Sequence, residues 1–258
     1  MKFIQSVQNE KVKSWKKLLT KKGRDQSKQF LVEGFHLVEE ALKKDFVSAI
    51  IVGEKVEIPR SWNIDGYELF TTTTAIVKEL AETENSQGIF AVCDKKQWEQ
   101  EQYSRLLLLD GVQDPGNIGT IIRTADAAGI DAVVCGDGCV DVYNSKALRS
   151  TQGSIFHLPV LKANLPKYIL DLKERKVPVY GTSLYDASDY REVQPMDCFA
   201  LVVGNEGNGV SGEVLSMCDS NLYIPIHGDA ESLNVTVATG ILLYHLHNCD
   251  RNNPIDKN

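Results

Sequence analysis

The sequence predicts an α/β protein in two parts, a small N-terminal α/β domain and a larger C-terminal domain built on a parallel sheet. Three observations predict it. From Arg105 onward the strands read as continuous apolar runs: LLLL (106–109), AVV (132–134), VPVY (177–180), ALVV (200–203) and LYIPI (222–226). Helical patterns lie between these runs, and apolar strands alternating with helices describe a parallel sheet covered on both faces. A polar stretch, DKKQWEQEQYS (94–104), separates this region from the shorter elements before it and reads as a linker.

Taken in order, residues 9–22 form a predicted helix, because Val12, Trp15, Leu18 and Leu19 recur at helical spacing and Gly23 supplies a stop. FLVEG (30–34) reads as a strand, 36–45 as a helix, and AIIVG (49–53) and YELF (67–70) as strands. Thr73 stands where it could cap a helix over 74–83, and GIFAVCD (88–94) closes this first domain, placed at 1–97. The second domain, placed at 105–250, adds helices over 117–129, 144–156, 165–176, 210–218 and 232–248. RNNPIDKN reads as a frayed tail.

The chain has 258 residues and is 43% hydrophobic, enough for two buried cores. No apolar run reaches the length of a membrane span, and MKFIQSVQNEKVKSW lacks the apolar stretch of an export signal, so a cytoplasmic protein is expected. Six cysteines without a C-x-x-C pair read as reduced, mostly buried thiols, and the five histidines have no metal-ligand spacing. Net charge is −7, yet residues 1–28 carry nine Lys or Arg against Glu10 and Asp25. A basic arm beside an acidic body can grip phosphates; the plainer alternative is a solvated helix face.

Three loops stand at the carboxyl ends of strands, where open α/β sheets bind ligands. The first runs through LLLLDGVQDPGNIGTIIRTADAAG (106–129). Asn117 can cap its helix, and Arg123 offers planar donors suited to phosphate or a polar nucleotide edge. A structural ion pair with Asp126 or another acid is the alternative. The second, ALVVGNEGNGVS (200–211), holds Gly204, Gly207 and Gly209, which let backbone approach a ligand. It is neither a G-x-G-x-x-G fingerprint nor a phosphate-binding P-loop, and Glu206 favours a neutral or cationic ligand. The third, YIPIHGDAESLNVTVATGILLYHLH (223–247), gathers Glu231, Ser232 and Asn234 at a helix start, with Ser232 as a possible cap. Gly181, Thr182 and Ser183 end another strand and could touch a ligand or simply turn. No G-x-S-x-G elbow supports a hydrolase.

In order and wording, these loops resemble the three signature motifs of the SpoU/TrmH family of RNA ribose 2′-O-methyltransferases. The first motif is matched at Asp110, Asp114, Pro115, Asn117, Gly119, Arg123, Thr124 and Ala125. Gly204, Glu206, Gly209, Val210 and Ser211 match the second. The third is matched from Ile224 and Pro225 through Gly228 to Glu231, Ser232, Leu233, Asn234 and Val235, with Ile226 in place of a commoner Met. Residues 1–95, with FLVEGFHLVEEAL (30–42), resemble the family's small RNA-binding domain.

The resemblance implies a C-terminal SPOUT domain with a deep trefoil knot, a homodimer, and S-adenosylmethionine as cofactor. It implies that Gly204, Ile224, Ile226 and Leu233 line the cofactor pocket with Thr182 nearby. Arg123 would steer and stabilise the ribose oxygen, Asn117 and Glu206 would hold the loops and Arg123, and Ser232 and Asn234 would position substrate or the helix start. Lys13, Lys16 and Lys17 would contact RNA phosphates. No metal and no membrane are expected, and ribosomal RNA is favoured over transfer RNA as substrate. The rivals are a nicotinamide-dependent dehydrogenase, a Rossmann-type methyltransferase and a non-catalytic RNA-binding paralogue. The first lacks its fingerprint, the second would want its Gly-rich loop after the first strand, and the presence of Arg123, Glu206 and Asn234 argues against the third.

Overall fold

The computed structural model describes residues 2–98 and 103–247. The described residues of Met1–Glu99 and Asp141–His157 form one compact unit, and those of Gln100–Val140 and Leu158–Asn258 form another. Part of the expected linker, the last residue of the helix expected to 248, Cys249 and the expected tail lie outside the described residues.

In the first unit β1 (Lys2–Ile4) precedes α1 (Glu10–Lys17), capped by the Asn9 side chain, which accepts from the Lys11 N–H. The single helix expected over 9–22 is in fact two, since α2 (Lys21–Ser27) starts afresh. The cause is local. Thr20 is extended, and its hydroxyl accepts from the Gly23 N–H at 3.1 Å, a cap set inside the apolar pattern. Gly23 is therefore no stop. It lies inside α2, where a Cβ would fall 1.9 Å from the Lys17 carbonyl oxygen.

β2 (Gln29–Glu33), α3 (Phe35–Lys43), β3 (Val47–Gly53), β4 (Glu68–Thr72), α4 (Thr74–Leu80) and β5 (Ile89–Asp94) follow. Thr73 occupies the cap position of α4, but its side chain makes no capping bond. The sheet runs β1-β4-β3-β5-β2, with β5 antiparallel to both neighbours. Val12 and Trp15 of α1 close one face of it, the Trp15 ring meeting Phe70 edge-on at 5.1 Å.

The second unit opens with β6 (Arg105–Asp110), α5 (Pro115–Ala127) and β7 (Ala132–Cys135). The chain then contributes α6 (Ser145–Thr151) and a 3-10 turn at Ser154–Phe156 to the first unit. The helical pattern over 144–156, read in the sequence as part of the C-terminal domain, thus belongs elsewhere and is broken at Gln152 and Gly153, both at positive φ. Arg24 anchors this excursion through a buried ion pair to Asp141 at 2.7 Å, and Phe156 packs on Phe30 and Phe46.

Back in the second unit come β8 (Val160–Lys162), α7 (Leu165–Glu174), β9 (Val179–Thr182), β10 (Ser188–Asp189), β11 (Phe199–Gly204), α8 (Gly212–Met217), β12 (Ser220–Tyr223) and α9 (Val235–Leu246). All seven strands are parallel, in the order β10-β12-β9-β11-β6-β7-β8. The unbroken apolar runs are explained by burial: Leu106, Leu108, Val134, Ala200 and Val202 sit in one core under α7 and α8. From β6 the chain steps one way to β7 and β8, then returns on the other side with β11 against β6. The strand order reverses there, and the loops at the carboxyl edge part to leave a crevice. No helix among the described residues is long and apolar enough to cross a membrane.

Candidate functional site

Gly204 at the end of β11 lies in register with Asp110 at the end of β6, and Thr182 of β9 with Leu222 of β12. Four neighbouring strands therefore finish at one edge. Loops leaving three of them, with the entrance to α9, enclose a cavity of about 560 Å³. Its walls are Thr182 to Tyr185 after β9, Gly204 to Val210 after β11, Tyr223, Ile224 and Ile226 after β12, and Ser232 to Val235.

The loop after β11 folds back on itself. Asn205 and Gly209 exchange two backbone hydrogen bonds of 2.9 Å, and Gly209 takes a φ of +69°. The Asn205 carboxamide oxygen accepts from the N–H groups of Gly207 and Asn208, and its nitrogen donates to the Gly111 carbonyl at 2.9 Å. Gly204 is required here, since a Cβ would sit 2.1 Å from the Gly209 carbonyl carbon. The Ser211 N–H is held by Asp110 at 2.8 Å.

Glu206 ties this loop to the one after β6. Its carboxylate accepts from the N–H groups of Gln113 and Asp114 at 3.2 and 3.1 Å and from the Asn117 side chain at 3.1 Å. Burial pushes the Glu206 carboxyl up, but the Asn117 donor and the backbone N–H groups outweigh it and hold the group below its ordinary range. Asn117 in turn accepts from Asn234 at 3.4 Å, which carries the chain of contacts to α9.

Thr182, Gly204, Ile224, Ile226 and Leu233 all line this cavity, as do Glu206, Ser232 and Asn234. Asn117 stands behind it and reaches it through Glu206 and Asn234. Two capping expectations are corrected. Asp114, not Asn117, caps α5, because the extended residue is one step before Pro115 and its carboxylate meets the Asn117 N–H at 2.9 Å. Asn234, not Ser232, caps α9, meeting the Thr236 N–H at 2.8 Å. Arg123 is not among the residues lining the cavity. It is exposed on α5 and makes no hydrogen bond or ion pair with a described residue, so the ion pair with Asp126 considered from the sequence is not formed.

In the first unit, Lys13 pairs with Glu10 at 2.7 Å and Lys16 with Glu79, whereas Lys17 makes no ion pair among the described residues. Solvated pairs of this kind are worth little and open readily to a phosphate.

Asn205, Leu184 and Tyr185 are cavity residues that sequence reasoning passed over. Asn205 sits between Gly204 and Glu206, at a position the second motif leaves open. Leu184 and Tyr185 had no signal beyond following a strand end.

Chemically, the cavity has the size of a small-molecule site and is lined by apolar side chains, backbone and a few polar groups. Glu206 is the only Asp, Glu, Lys or Arg among its lining residues. With no cation to meet a pyrophosphate, a dinucleotide fits poorly, and a cationic centre such as a sulfonium fits well. No group of three His, Cys, Asp or Glu side chains among the described residues is placed to hold a metal ion.

Residues 104–244 match the model of the SpoU rRNA Methylase family, and residues 9–91 match the MRM3-like substrate binding domain. The chain is 51% identical over 247 residues to the 23S rRNA (guanosine(2553)-2′-O)-methyltransferase RlmP of Bacillus subtilis strain 168, covering 95% of this chain and 99% of the relative. Among solved structures it resembles the AdoMet-bound rRNA methyltransferase from Sinorhizobium meliloti, with a TM-score of 0.84, 30% identity and coverage of 95% and 97% of the two chains. It also resembles the AdoMet complex of the SpoU methyltransferase AviRb from Streptomyces viridochromogenes, with a TM-score of 0.83, 26% identity and coverage of 93% and 97%.

Proposed function

The chain belongs to the SpoU rRNA methylase family, and on that premise we propose that it transfers a methyl group from S-adenosylmethionine to a ribose 2′-hydroxyl of 23S ribosomal RNA. The observation that carries this reading is the cavity at the carboxyl edge of the parallel sheet, with no Lys or Arg in its lining, walled by the second and third family motifs and tied to the first through Glu206 and Asn117. The relative's activity on guanosine 2553 makes the same nucleotide the first target to examine. The cytoplasm, where ribosomal RNA is made and assembled, is the expected location.

Bound in this cavity, S-adenosylmethionine supplies a methyl group already activated by its sulfonium. The protein's share is proximity and alignment. Gly204 lets backbone approach the donor, and Ile224, Ile226 and Leu233 supply an apolar wall, with Thr182 beside them. Glu206 and Asn117 fix the loops, and Asn234 fixes the start of α9. Ser232, at the same entrance, faces the substrate. A guanidinium keeps its proton at neutral pH and is no base, so Arg123 acts by stabilising the developing alkoxide.

Arg123 does not line its own cavity, and this shapes the assembly we propose. α9 is mostly apolar, with Val237 and Tyr244 exposed. It packs along α5, Tyr244 donating to the Ala127 carbonyl at 3.3 Å. This uncovered face is the proposed homodimer interface, and it brings Arg123 of one copy to the cavity of the other. A knotted threading of the C-terminal segment is part of the same proposal. It is supported by β11 lying between β6 and β9 and by the parallel bridge of Met196 to His247. In the first unit Lys13, Lys16 and Lys17 grip RNA backbone, so that residues 1–97 serve binding and 105–250 serve chemistry.

Mapping ribose methylations in RNA from cells with and without the gene tests this reading. One 2′-O-methyl mark should vanish from 23S ribosomal RNA. Loss from a transfer RNA instead, or no loss, would overturn it.

A further inference from the structure

Among the described residues, seven large hydrophobic side chains are exposed, and three of them line the cavity at the carboxyl edge of the parallel sheet: Leu184 at 57%, Tyr185 at 82% and Leu233 at 36%. An apolar rim around a site marks a surface that something covers. Tyr185 is the most exposed of all seven.

Its backbone is not loose. Ser183 Oγ accepts from the Tyr185 N–H at 3.1 Å and donates to the Tyr185 carbonyl at 2.8 Å. The Ser183 N–H bonds to the Leu222 carbonyl at 3.1 Å, and Thr182 Oγ1 donates to the Val202 carbonyl at 3.1 Å. Asp186 then takes a φ of +49°, a conformation uncommon outside glycine, and turns the chain back. The turn is thus clamped while the ring projects. No aromatic ring among the described residues stacks on it, and its hydroxyl makes no hydrogen bond to one.

We propose that Tyr185 is a stacking platform for a nucleobase next to the ribose that receives the methyl group. The proposal rests on the methyltransferase reading and adds the residue that seats the RNA. The cavity walls of one copy hold no lysine or arginine, so they offer no phosphate pairing of their own to place the nucleotide. Every base has a π face, and single-stranded RNA is commonly held by bases splayed onto aromatic side chains. An exposed phenol on a hydrogen-bonded turn, among the residues that line the donor cavity, meets that need directly. A ring this exposed contributes nothing to the core, so its removal leaves the fold intact.

The test compares wild type with Tyr185→Ala and Tyr185→Phe on an unmodified in vitro transcript of Bacillus subtilis 23S rRNA. Tyr185→Ala should raise KM and the Kd for the transcript on the order of tenfold, with kcat within about twofold, as expected for loss of one base stack. Its Kd for S-adenosylmethionine, by calorimetry, should stay unchanged, and Tyr185→Phe should behave as wild type. An unchanged RNA Kd overturns the proposal. So does a loss of S-adenosylmethionine affinity, which would make the ring a cover for the cofactor, or a changed oligomeric state, which would make it an interface residue. If wild type binds the donor yet methylates nothing, the proposed function fails, while the comparison of RNA Kd values still decides the role of Tyr185.

Discussion

At the scale of single residues, one carboxylate joins the loop after β11 to the loop after β6. Glu206 takes three donors, and a hydrogen bond to a charged group is worth about 1.5–3 kcal/mol when shielded, less at an exposed site such as this. Glu206→Ala should therefore lower kcat/KM by roughly tenfold to a hundredfold while barely moving Tm, since the loops loosen but the core is untouched. Steady-state kinetics and thermal melting check both halves. The pH dependence has a definite sign. The folded carboxyl is held below its ordinary range, so the tie is complete above that range and is lost as pH falls through the lowered folded value. S-adenosylmethionine affinity should be flat across neutral pH and fall only in acid. A decline beginning near neutrality would point to a different group.

At the scale of elements, the excursion carrying α6 depends on the buried Arg24 and the largely buried carboxylate of Asp141, with Arg24 also donating to the Leu18 carbonyl at 2.8 Å. Arg24→Ala leaves Asp141 without its partner, and breaking a buried pair costs about 3–5 kcal/mol. Denaturant unfolding should show a loss of that order; a loss under about 1 kcal/mol would mean the pair is effectively solvated. The same pair shows where sequence reading stops. It spans 117 positions, and nothing near 141 marks that stretch as belonging with the first unit. Long apolar strands and the α5, α7 and α9 helices were legible because burial writes an unbroken run or a helical period. The short strands β1, β8 and β10 were not, since each lies at a sheet edge and has too few residues for a pattern. The split of α1 from α2 was hidden because Thr20, capping α2 through the Gly23 N–H, starts a new helix without disturbing the apolar spacing. At the cavity, motif residues were legible from their wording. Tyr185 was not, because exposure is a property of the folded chain.

At the scale of the whole molecule, the proposed dimer makes each site a joint product. Arg123→Ala and Gly204→Val should each be inactive alone, the first lacking the cation, the second blocked by the crowding around Gly204. If Arg123 serves the other copy's cavity, equal mixing with subunit exchange creates one competent site in each mixed dimer and restores about a quarter of wild-type activity. If Arg123 serves its own cavity, mixing restores nothing.

The most direct measurement follows the methyl group. Purified enzyme is incubated with S-adenosylmethionine carrying a labelled methyl and with an unmodified 23S rRNA transcript, and the RNA is digested to nucleosides for mass spectrometry. The expected product is a single nucleoside bearing the label on its ribose 2′-oxygen. A label on a base, or none on RNA from a protein that still binds the donor, would contradict a cavity built to present a methyl group to a sugar hydroxyl.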